Sequence, residues 1–313
     1  MNWITHTFEP WMPIGATKAK DDIASIAIKE GFKELKIIRA NKSFPDLNNI
    51  TAGDLIVHQY PTYLGDSLEL DFINSIHELH AKIVILIHDF EPYRINNYTN
   101  SKYAFNIIQS SDALIVHTDK MKKKFKQTGF QKDIFVLEAF DYLADIYKLN
   151  AIDKIVYAGT LAKANWIFDY KETFNIHLYG KLPKQFPDKL NPNLKLHQPV
   201  EPLKLASEIS RYQWGLVWDS DFSNKTNYQK YQQINAPHKL SLYIASGIPV
   251  IVPSNSAMED FVLKNNIGIS VNSLSEIPSK IKNSNPNVLE LSGKMRDGFF
   301  TKKILSNLII GKN

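Results

Sequence analysis

Short apolar runs rich in β-branched residues alternate with helix-like segments along this chain, and that alternation most limits its fold. The first half contains five such runs, at residues 35–40, 54–60, 82–90, 113–118 and 133–140. Helix-like segments separate most of them, at residues 18–30, 68–80, 102–109 and 119–127. Strands that are apolar throughout are buried on both faces, and helical crossovers between them make the sheet parallel. The pattern predicts a doubly wound α/β domain over residues 1–150.

The second half repeats this pattern. Its apolar runs lie at residues 154–160, 175–180, 194–200, 214–219, 249–253 and 268–271. We therefore expect two Rossmann-like domains, the second over residues 151–293, with a link near residues 149–154. A closing helix at about 294–313 can pack back on the first domain, although periodicity does not say which domain its apolar face covers. The length of 313 residues and the hydrophobic content of 44% suffice for two such cores.

Composition excludes some chemistries and selects no partner. The 37 Lys and Arg residues against 32 Asp and Glu residues give a net charge of +5, which suits an anionic small ligand as readily as nucleic acid. The chain contains no cysteine, which excludes disulfides, thiolate zinc sites and a cysteine nucleophile and fits a reducing compartment. The first residues lack a basic leader, and no apolar run approaches the length of a membrane span. We expect a soluble, cytoplasmic protein.

Candidate ligand-binding residues follow several predicted strands. Two Rossmann-like domains that face each other form a cleft at the carboxyl ends of their strands, where open α/β sheets bind ligands. Gly159 and Thr160 follow one strand, Gly180 follows the next, and Asp219 and Ser220 follow a third. A glycine at such a position either lets a ligand approach closely or permits a turn. Both interpretations of the glycines stay open.

The stretch from Asn235 to Val252 indicates an anion site. Pro237 suits the start of a helix that ends at Gly247, and the free N–H groups at a helix start attract phosphate. Lys239 would add a full positive charge at a position where cations are unfavourable unless an anion binds. The alternative is a solvated helix end. His238 either binds the same ligand or only caps or packs.

The segment "GLVWDS" followed by "NYQKYQQINAPHKLSLYIASGIPVIVP" resembles the C-terminal domain of bacterial glycosyltransferases of the GT-B fold. More closely, it resembles the glucosyltransferases that extend O-linked N-acetylglucosamine on serine-rich repeat adhesins, whose relatives include β-1,6-galactofuranosyltransferases. Residues 15–23 and 86–94 resemble the N-terminal domain of the same group. The resemblance implies a UDP-sugar donor bound mainly by the C-terminal domain. It also implies a glycan or glycosylated Ser/Thr-rich protein as acceptor, bound mainly by the N-terminal domain.

The resemblance further implies site residues. Lys239 would contact the diphosphate, together with Asn235, His238 and the amides after Pro237. The other implied contacts are Thr160 and Lys181 near the nucleotide, Tyr212 as a weaker nucleotide candidate, and Gly15 and Thr17 in the first β-α loop. Thr17 is equally well explained as a helix N-cap.

Two missing glutamates bear on mechanism. The commonest retaining GT-B enzymes carry two glutamates where this chain has Ile234 and Leu242. We therefore expect inversion by single displacement, which needs a base for the acceptor hydroxyl. The candidates are His88, Asp89 and Glu91, with Asp89 first, although an aspartate there can equally cap its own loop. The helix start and Lys239 would stabilise the leaving group, so we expect no metal and no cofactor.

Several alternatives remain open. The spacing of Asp219 and Asp221 resembles a metal-binding signature and would make activity sensitive to EDTA. The lysine-rich segment 120–127 would suit nucleic acid or anionic lipid, but no nucleic-acid module surrounds it and a solvated helix face is more typical. A noncatalytic protein that binds glycan and assists another transferase is a further alternative. The sequence leaves open the acceptor, the linkage, homo-oligomer formation and the donor among UDP-glucose, UDP-N-acetylglucosamine and UDP-galactofuranose.

Overall fold

The computed structural model describes residues 1–12, 14–147, 150, 152–183, 190–198, 200–221 and 225–310. Its contacts divide the chain into two units. Unit 1 comprises Met1–Asp141 and Gly298–Asn313, and unit 2 comprises Tyr142–Asp297. The predicted link includes residues 149 and 151, which lie outside the described residues.

Unit 1 contains a six-stranded parallel sheet in the order β2-β1-β3-β4-β5-β6. Its strands are β1 (Asn2–Phe8), β2 (Lys33–Ile38), β3 (Leu55–Tyr60), β4 (Lys82–Ile87), β5 (Ala113–Val116) and β6 (Asp133–Val136). The helices that follow them are α1 (Ile14–Lys29), α2 (Asp66–Glu78), α3 (Glu91–Arg94), α4 (Ser101–Ser110) and α5 (Asp119–Gln127). The doubly wound α/β domain expected from the apolar runs is present. Its strands β3 and β5 are buried along their whole length, as expected for parallel strands covered by helices on both faces of the sheet.

Strand β1 is the one strand of this sheet that the apolar runs did not reveal. It pairs with both β2 and β3, and its Thr5 and Thr7 side chains are completely buried or nearly so. Thr5 Oγ1 accepts a hydrogen bond of 2.8 Å from the backbone N–H of Gln59, so its buried hydroxyl is satisfied. Polar residues at buried positions interrupted the apolar pattern on which the sequence prediction depended.

Unit 2 contains a second six-stranded parallel sheet, in the order β12-β11-β10-β7-β8-β9. Its strands are β7 (Ile152–Ala158), β8 (Ile176–Tyr179), β9 (Leu194–His197), β10 (Tyr212–Leu216), β11 (Val250–Pro253) and β12 (Gly268–Val271). Its helices are α6 (Pro202–Ile209), α7 (Tyr228–Gln232), α8 (His238–Ala245), α9 (Glu259–Lys264), α10 (Ile277–Lys282) and α11 (Leu289–Arg296). One face of the sheet packs into an apolar core that includes Tyr157, Leu178 and Leu216.

The closing helix α12 (Phe299–Ile310) belongs to unit 1 although it follows unit 2 in the chain. The Asp141 carboxylate accepts hydrogen bonds from the backbone N–H groups of Phe300 (3.2 Å) and Thr301 (2.6 Å), the first turn of α12. Gly298, just before the helix, packs so closely on Ile26 of α1 that a Cβ would lie 2.8 Å from its side chain. In the described part of the chain, no helix has both the length and the hydropathy needed to cross a bilayer.

Candidate active site

Helix α8 begins at His238, and Pro237 immediately precedes it. Pro237 has φ −72° and ψ 135°, so its backbone is extended and it occupies the cap position instead of the first helical turn. Gly247 follows the C-cap residue Ser246 in the left-handed region, with φ 76°, and ends the helix as predicted. Lys239 is therefore the second residue of the helix, beside N–H groups that have no partner within it.

The Lys239 side chain is held by two partners, Tyr157 in β7 and Asp219 in the loop after β10. Its ammonium donates to the Asp219 carboxylate and, at 2.8 Å, to the Tyr157 hydroxyl. The Tyr157 hydroxyl in turn donates to Asp219 Oδ1 at 3.2 Å. The side chains of Lys239 and Asp219 are only 10% and 9% exposed. A buried ion pair thus joins the end of β10 to the start of α8.

Burial is the largest influence on the pKa values of Lys239 and Tyr157. Desolvation lowers the pKa of Lys239, although the neighbouring Asp219 carboxylate acts in the opposite direction. Desolvation and the same carboxylate raise the pKa of the Tyr157 hydroxyl. A cation at a helix start indicates a bound anion, but in the structure the Asp219 carboxylate already supplies an internal anion there. The contact of Lys239 with a phosphate stays a prediction.

Two strand-end glycines lie beside this ion pair. Gly159 ends β7 with φ 142°, and a Cβ there would lie 3.7 Å from Lys239 Cε. Gly180 ends β8 with φ 154°, and a Cβ there would lie 2.1 Å from the carbonyl oxygen of Gly159. Gly180 is therefore required by close backbone packing, whereas the sequence suggested either the approach of a ligand or a turn. Thr160 and Lys181 follow the two glycines and are exposed, so the structure brings these four predicted residues to adjacent strand ends.

Asn235 and His238 lie on either side of Pro237. The Asn235 Oδ1 atom is buried and has no hydrogen-bond partner among the described residues. Its backbone N–H donates to the Tyr231 carbonyl at 2.9 Å, which fixes the residue before the helix. The His238 ring lies 5.0 Å from the Tyr142 ring at an angle of 32°. His238 therefore packs on Tyr142, and its contact with a diphosphate stays a prediction.

Tyr212 is not brought together with the other nucleotide-binding candidates. It is the first residue of β10 and lies at the amino end of the strand, whereas Asp219 follows the carboxyl end. Its side chain is buried, and its hydroxyl lies 3.0 Å from the Tyr179 hydroxyl and 3.2 Å from His177 Nδ1. These contacts explain Tyr212 through packing on the sheet, without a ligand.

In unit 1, the two carboxylates among the candidate bases, Asp89 and Glu91, share one arginine. Arg94 Nη1 donates to Asp89 Oδ2 at 2.9 Å, and Arg94 Nε donates to Glu91 Oε2 at 3.1 Å. Burial opposes the charge of Arg94, but the two carboxylates outweigh that effect and raise its pKa. His88 Nε2 lies 2.9 Å from Gln59 Oε1. Arg94 lies within the segment that carries the resemblance, yet its role was missed because nothing in the sequence shows that it binds both carboxylates.

Asp89 and Glu91 differ in how far their side chains are exposed to solvent. The Asp89 side chain is 30% exposed, whereas that of Glu91 is 8% exposed. Glu91 also accepts a hydrogen bond of 3.1 Å from the Tyr63 hydroxyl. An approaching hydroxyl can therefore reach Asp89 more easily than Glu91.

The first predicted β-α loop differs from expectation. Helix α1 begins at Ile14, so Gly15 lies in its first turn and Thr17 lies inside the helix. The Thr17 hydroxyl donates to Asp21 Oδ2 at 2.7 Å, one helical turn ahead. Thr17 is therefore not the N-cap of this helix, and its hydroxyl has a partner within unit 1. The predicted contacts of Gly15 and Thr17 with a sugar phosphate stay predictions.

The acidic pair that suggested a metal site has other partners in the structure. Asp219 is occupied by Lys239 and Tyr157, while Asp221 Oδ1 lies 3.4 Å from the Gln229 backbone nitrogen. Within the described ranges, there is no group of three or more His, Cys, Asp or Glu residues that could hold a metal ion. The predicted absence of a metal requirement stays a prediction.

The fold is that of GT-B glycosyltransferases. HepE of Anabaena, solved in complex with UDP, has a TM-score of 0.59 at 12% sequence identity and covers 98% of this chain and 99% of its own. An α-glucosyltransferase, AGT, also in complex with UDP, has a TM-score of 0.54 at 15% identity and covers 96% of this chain and 94% of its own. The predicted α/β architecture with two Rossmann-like sheets is confirmed.

The sequence comparisons identify the family. The glucosyltransferase 3-like N-terminal domain matches residues 1–139, and the glucosyltransferase 3-like C-terminal domain matches residues 155–308. The chain therefore belongs to the glucosyltransferase 3-like family and is a glycosyltransferase. It is 25% identical to glucosyltransferase 3 of Streptococcus gordonii over 93% of both chains. It is 27% identical to the β-1,6-galactofuranosyltransferase WbbI of Escherichia coli K12, over 88% of this chain and 84% of WbbI.

Proposed function

We propose that this glycosyltransferase transfers a hexose, glucose or N-acetylglucosamine, from a UDP-sugar to a glycan acceptor. The observation that carries the proposal is the match of both domains of one glycosyltransferase family, in order, along the chain. Two neighbours of the same fold were solved with UDP, which supports a uridine nucleotide as the carrier. The acceptor that we propose first is N-acetylglucosamine linked to Ser or Thr of a serine-rich protein.

The proposed donor site lies in unit 2, at the start of α8. Departure of UDP places negative charge on the diphosphate, and a buried ammonium at the N-terminus of a helix stabilises such charge without a metal. Lys239 has both properties, since it is the second residue of α8 and is 10% exposed. Thr160, Lys181 and Asn235 would lie beside the nucleotide. Asp219 would share Lys239 with the bound diphosphate.

The proposed base lies in unit 1. In an inverting single displacement, the acceptor oxygen attacks the anomeric carbon while its proton passes to a base and UDP leaves. Asp89 is the better candidate because its side chain is 30% exposed and that of Glu91 is 8% exposed. Arg94 would hold the Asp89 carboxylate in one orientation through its hydrogen bond of 2.9 Å.

The first experiment measures the melting temperature with UDP, GDP, CMP or ADP, with EDTA in every sample. A ligand at about 100 times its Kd stabilises the folded state by about 2.7 kcal/mol, which raises the melting temperature by a few degrees. We expect a shift with UDP alone, followed by release of UDP from UDP-glucose when a GlcNAc-serine peptide is present. A protein that shows no UDP shift and no turnover, yet binds the glycopeptide, would instead be a noncatalytic partner of another transferase.

A second candidate is galactofuranosyl transfer. The identity of 27% to WbbI, over 88% of this chain, favours it as much as the likeness to glucosyltransferase 3 favours glucose. The two candidates differ in the donor, so parallel assays with UDP-glucose and UDP-galactofuranose discriminate between them. The candidate whose donor gives the higher kcat/KM is retained.

A further inference from the structure

Unit 1 contains a cavity of about 250 Å³ whose lining combines carboxylates with aromatic rings. It lies between the carboxyl end of β3 and the starts of α2 and α3. It is lined by Arg39, Tyr60, Pro61, Tyr63, Gly65, Asp66, Glu69, Glu91, Tyr98 and Asn100. Its volume is below the roughly 300–1,000 Å³ of sites for drug-sized ligands, which suits a ligand of one ring.

Most charged groups of the cavity have partners. Glu69 lies 2.7 Å from His58 Nε2 and accepts hydrogen bonds of 2.6 Å from the backbone and the hydroxyl of Thr62. Glu91 is bonded to Arg94 and to the Tyr63 hydroxyl, as described above. These two carboxylates are therefore satisfied without a ligand.

Asp66 is different. It is the first residue of α2, and its Oδ2 atom is buried with no hydrogen-bond partner in the part of the chain that the structure describes. Burial raises its pKa, while hydrogen bonds to Asn100 and Tyr98 act in the opposite direction. A buried carboxylate oxygen without a donor costs free energy, so a ligand that donates a hydrogen bond would be favoured at this position.

The chemistry of the cavity defines the ligand class. Three carboxylates, Asp66, Glu69 and Glu91, face one arginine, Arg39, which already forms an ion pair with Glu9. Glu91 is paired with Arg94 and Glu69 lies against His58, so Asp66 is the carboxylate whose charge disfavours phosphates and sugar acids here. The rings of Tyr63 and Tyr98, which are exposed or partly exposed, add flat apolar surfaces against which a sugar ring can pack. Neutral hydroxyl groups match the Asp66 Oδ2 atom, which has no hydrogen-bond partner among the described residues.

The Tyr63 side chain is held at this cavity by several contacts. Its ring lies 5.4 Å from the Lys20 ammonium and 5.4 Å from the Arg39 guanidinium, and its hydroxyl donates to Glu91. Its backbone has φ 59°, which is unfavourable for a bulky side chain. The surrounding contacts therefore fix the ring in this position although it is 43% exposed.

We propose that this cavity binds one uncharged sugar ring of the acceptor, with the Asp66 carboxylate accepting hydrogen bonds from its hydroxyl groups. This inference rests on the proposed function. The shared arginine connects the cavity to the candidate base. Glu91 lines the cavity, and Arg94 donates hydrogen bonds to both Glu91 and Asp89. A sugar in the cavity is thus close to the group that we propose accepts the proton of the acceptor hydroxyl.

The test compares Asp66→Asn with Asp71→Asn. Asp71 lies in the same helix and is exposed, so its variant makes the same chemical change outside the cavity. Binding of methyl β-N-acetylglucosaminide and of a GlcNAc-serine peptide is titrated by NMR without any donor. A hydrogen bond to a charged group corresponds to about 10- to 100-fold in affinity, so we expect a loss of that size in Asp66→Asn only. The UDP-induced rise in melting temperature is expected to be unchanged in both variants.

The outcomes separate this inference from the proposed function. Equal affinity of wild type and Asp66→Asn for both probes overturns the inference, as does binding of a methyl glucuronide as tight as that of the neutral probe. If UDP produces no shift but Asp66→Asn still weakens sugar binding, the proposed function fails and the sugar site stands. If Asp66→Asn does not fold, Tyr98→Phe replaces it, because Tyr98 is a hydrogen-bond partner of Asp66, and a loss of affinity of about 5-fold or more is expected. Unchanged affinity in Tyr98→Phe then overturns the inference.

Discussion

Lys239 and Asp219 form a buried ion pair between the second residue of α8 and the loop after β10. Each side chain is about a tenth exposed, at 10% and 9%. A buried pair is a weak source of net stability, whereas removal of one partner leaves an uncompensated charge. The two residues must therefore be tested together.

Lys239→Met is expected to lower the free energy of unfolding by about 3–5 kcal/mol, because it leaves Asp219 charged and buried. The double variant Lys239→Met/Asp219→Asn should recover most of that loss, since no charge remains unpaired. Both variants should lose the stabilisation by UDP if Lys239 contacts the diphosphate. Urea unfolding and UDP titration measure the two effects separately. A UDP affinity within about 2-fold of wild type in the double variant would show that Lys239 is only structural.

Asp89→Asn is expected to reduce kcat by about 100-fold or more and to leave UDP affinity unchanged, because a general base acts only in the chemical step. The amide keeps the size of the side chain but cannot accept the proton. Steady-state kinetics and UDP titration of the same preparation provide the test. Glu91→Gln is the matched comparison, since Glu91 shares Arg94 but is 8% exposed. If Asp89→Asn lost turnover and UDP affinity equally, or if Glu91→Gln alone abolished turnover, Asp89 would not be the base.

Gly180→Ala is expected to destabilise unit 2 by about 1–3 kcal/mol, because the new methyl group would overlap the Gly159 carbonyl oxygen at 2.1 Å with φ at 154°. Gly293→Ala in α11 is the control, since a Cβ there meets nothing within 4 Å. Alanine in a helix is favoured over glycine by up to about 1 kcal/mol, so the control should be neutral or stabilised. Urea midpoints are compared for the two variants. A Gly180→Ala protein as stable as wild type would contradict the close packing of the two strand ends.

His117 is expected to make the protein less stable in mild acid. It is buried against the Ile87 carbonyl at 2.8 Å, and burial lowers its pKa from 6.5 to about 4. The unfolded chain takes up a proton below pH 6.5 while the folded chain does not until about pH 4, so the free energy of unfolding falls as pH decreases through this window. The full effect is about 3 kcal/mol.

The measurement compares wild type with His117→Gln in urea at several pH values between 4 and 7. Asp141, whose pKa burial raises to about 6, acts with the opposite sign in part of this window, but it is present in both proteins. The stability difference between them therefore isolates the histidine. A difference that does not change with pH would contradict the prediction.

Local patterns predicted much of the fold and part of the site. The apolar runs located eleven of the twelve strands in the part of the chain that the structure describes, and the Pro237 to Gly247 pattern located α8 to within a residue. They missed β1, where Thr5 and Thr7 are buried, because a period-based argument recognises burial only through apolar side chains. The apolar run at 214–219 places Tyr212 just before a strand, but nothing in the sequence shows that its hydroxyl lies against Tyr179 and His177.

The sequence by itself determined the two Rossmann-like sheets, the family and the helix that carries Lys239, since each depends on neighbours in the chain. Only the tertiary structure decided which groups form an ion pair or a hydrogen bond with each other. Asp219 lies 20 residues from Lys239, and Asp141 binds the first turn of α12 from 160 residues away. The cavity around Asp66 likewise joins three segments that no local period connects. Hydrogen bonds and ion pairs act over a few ångströms in space, so their partners are determined only once the whole chain has folded.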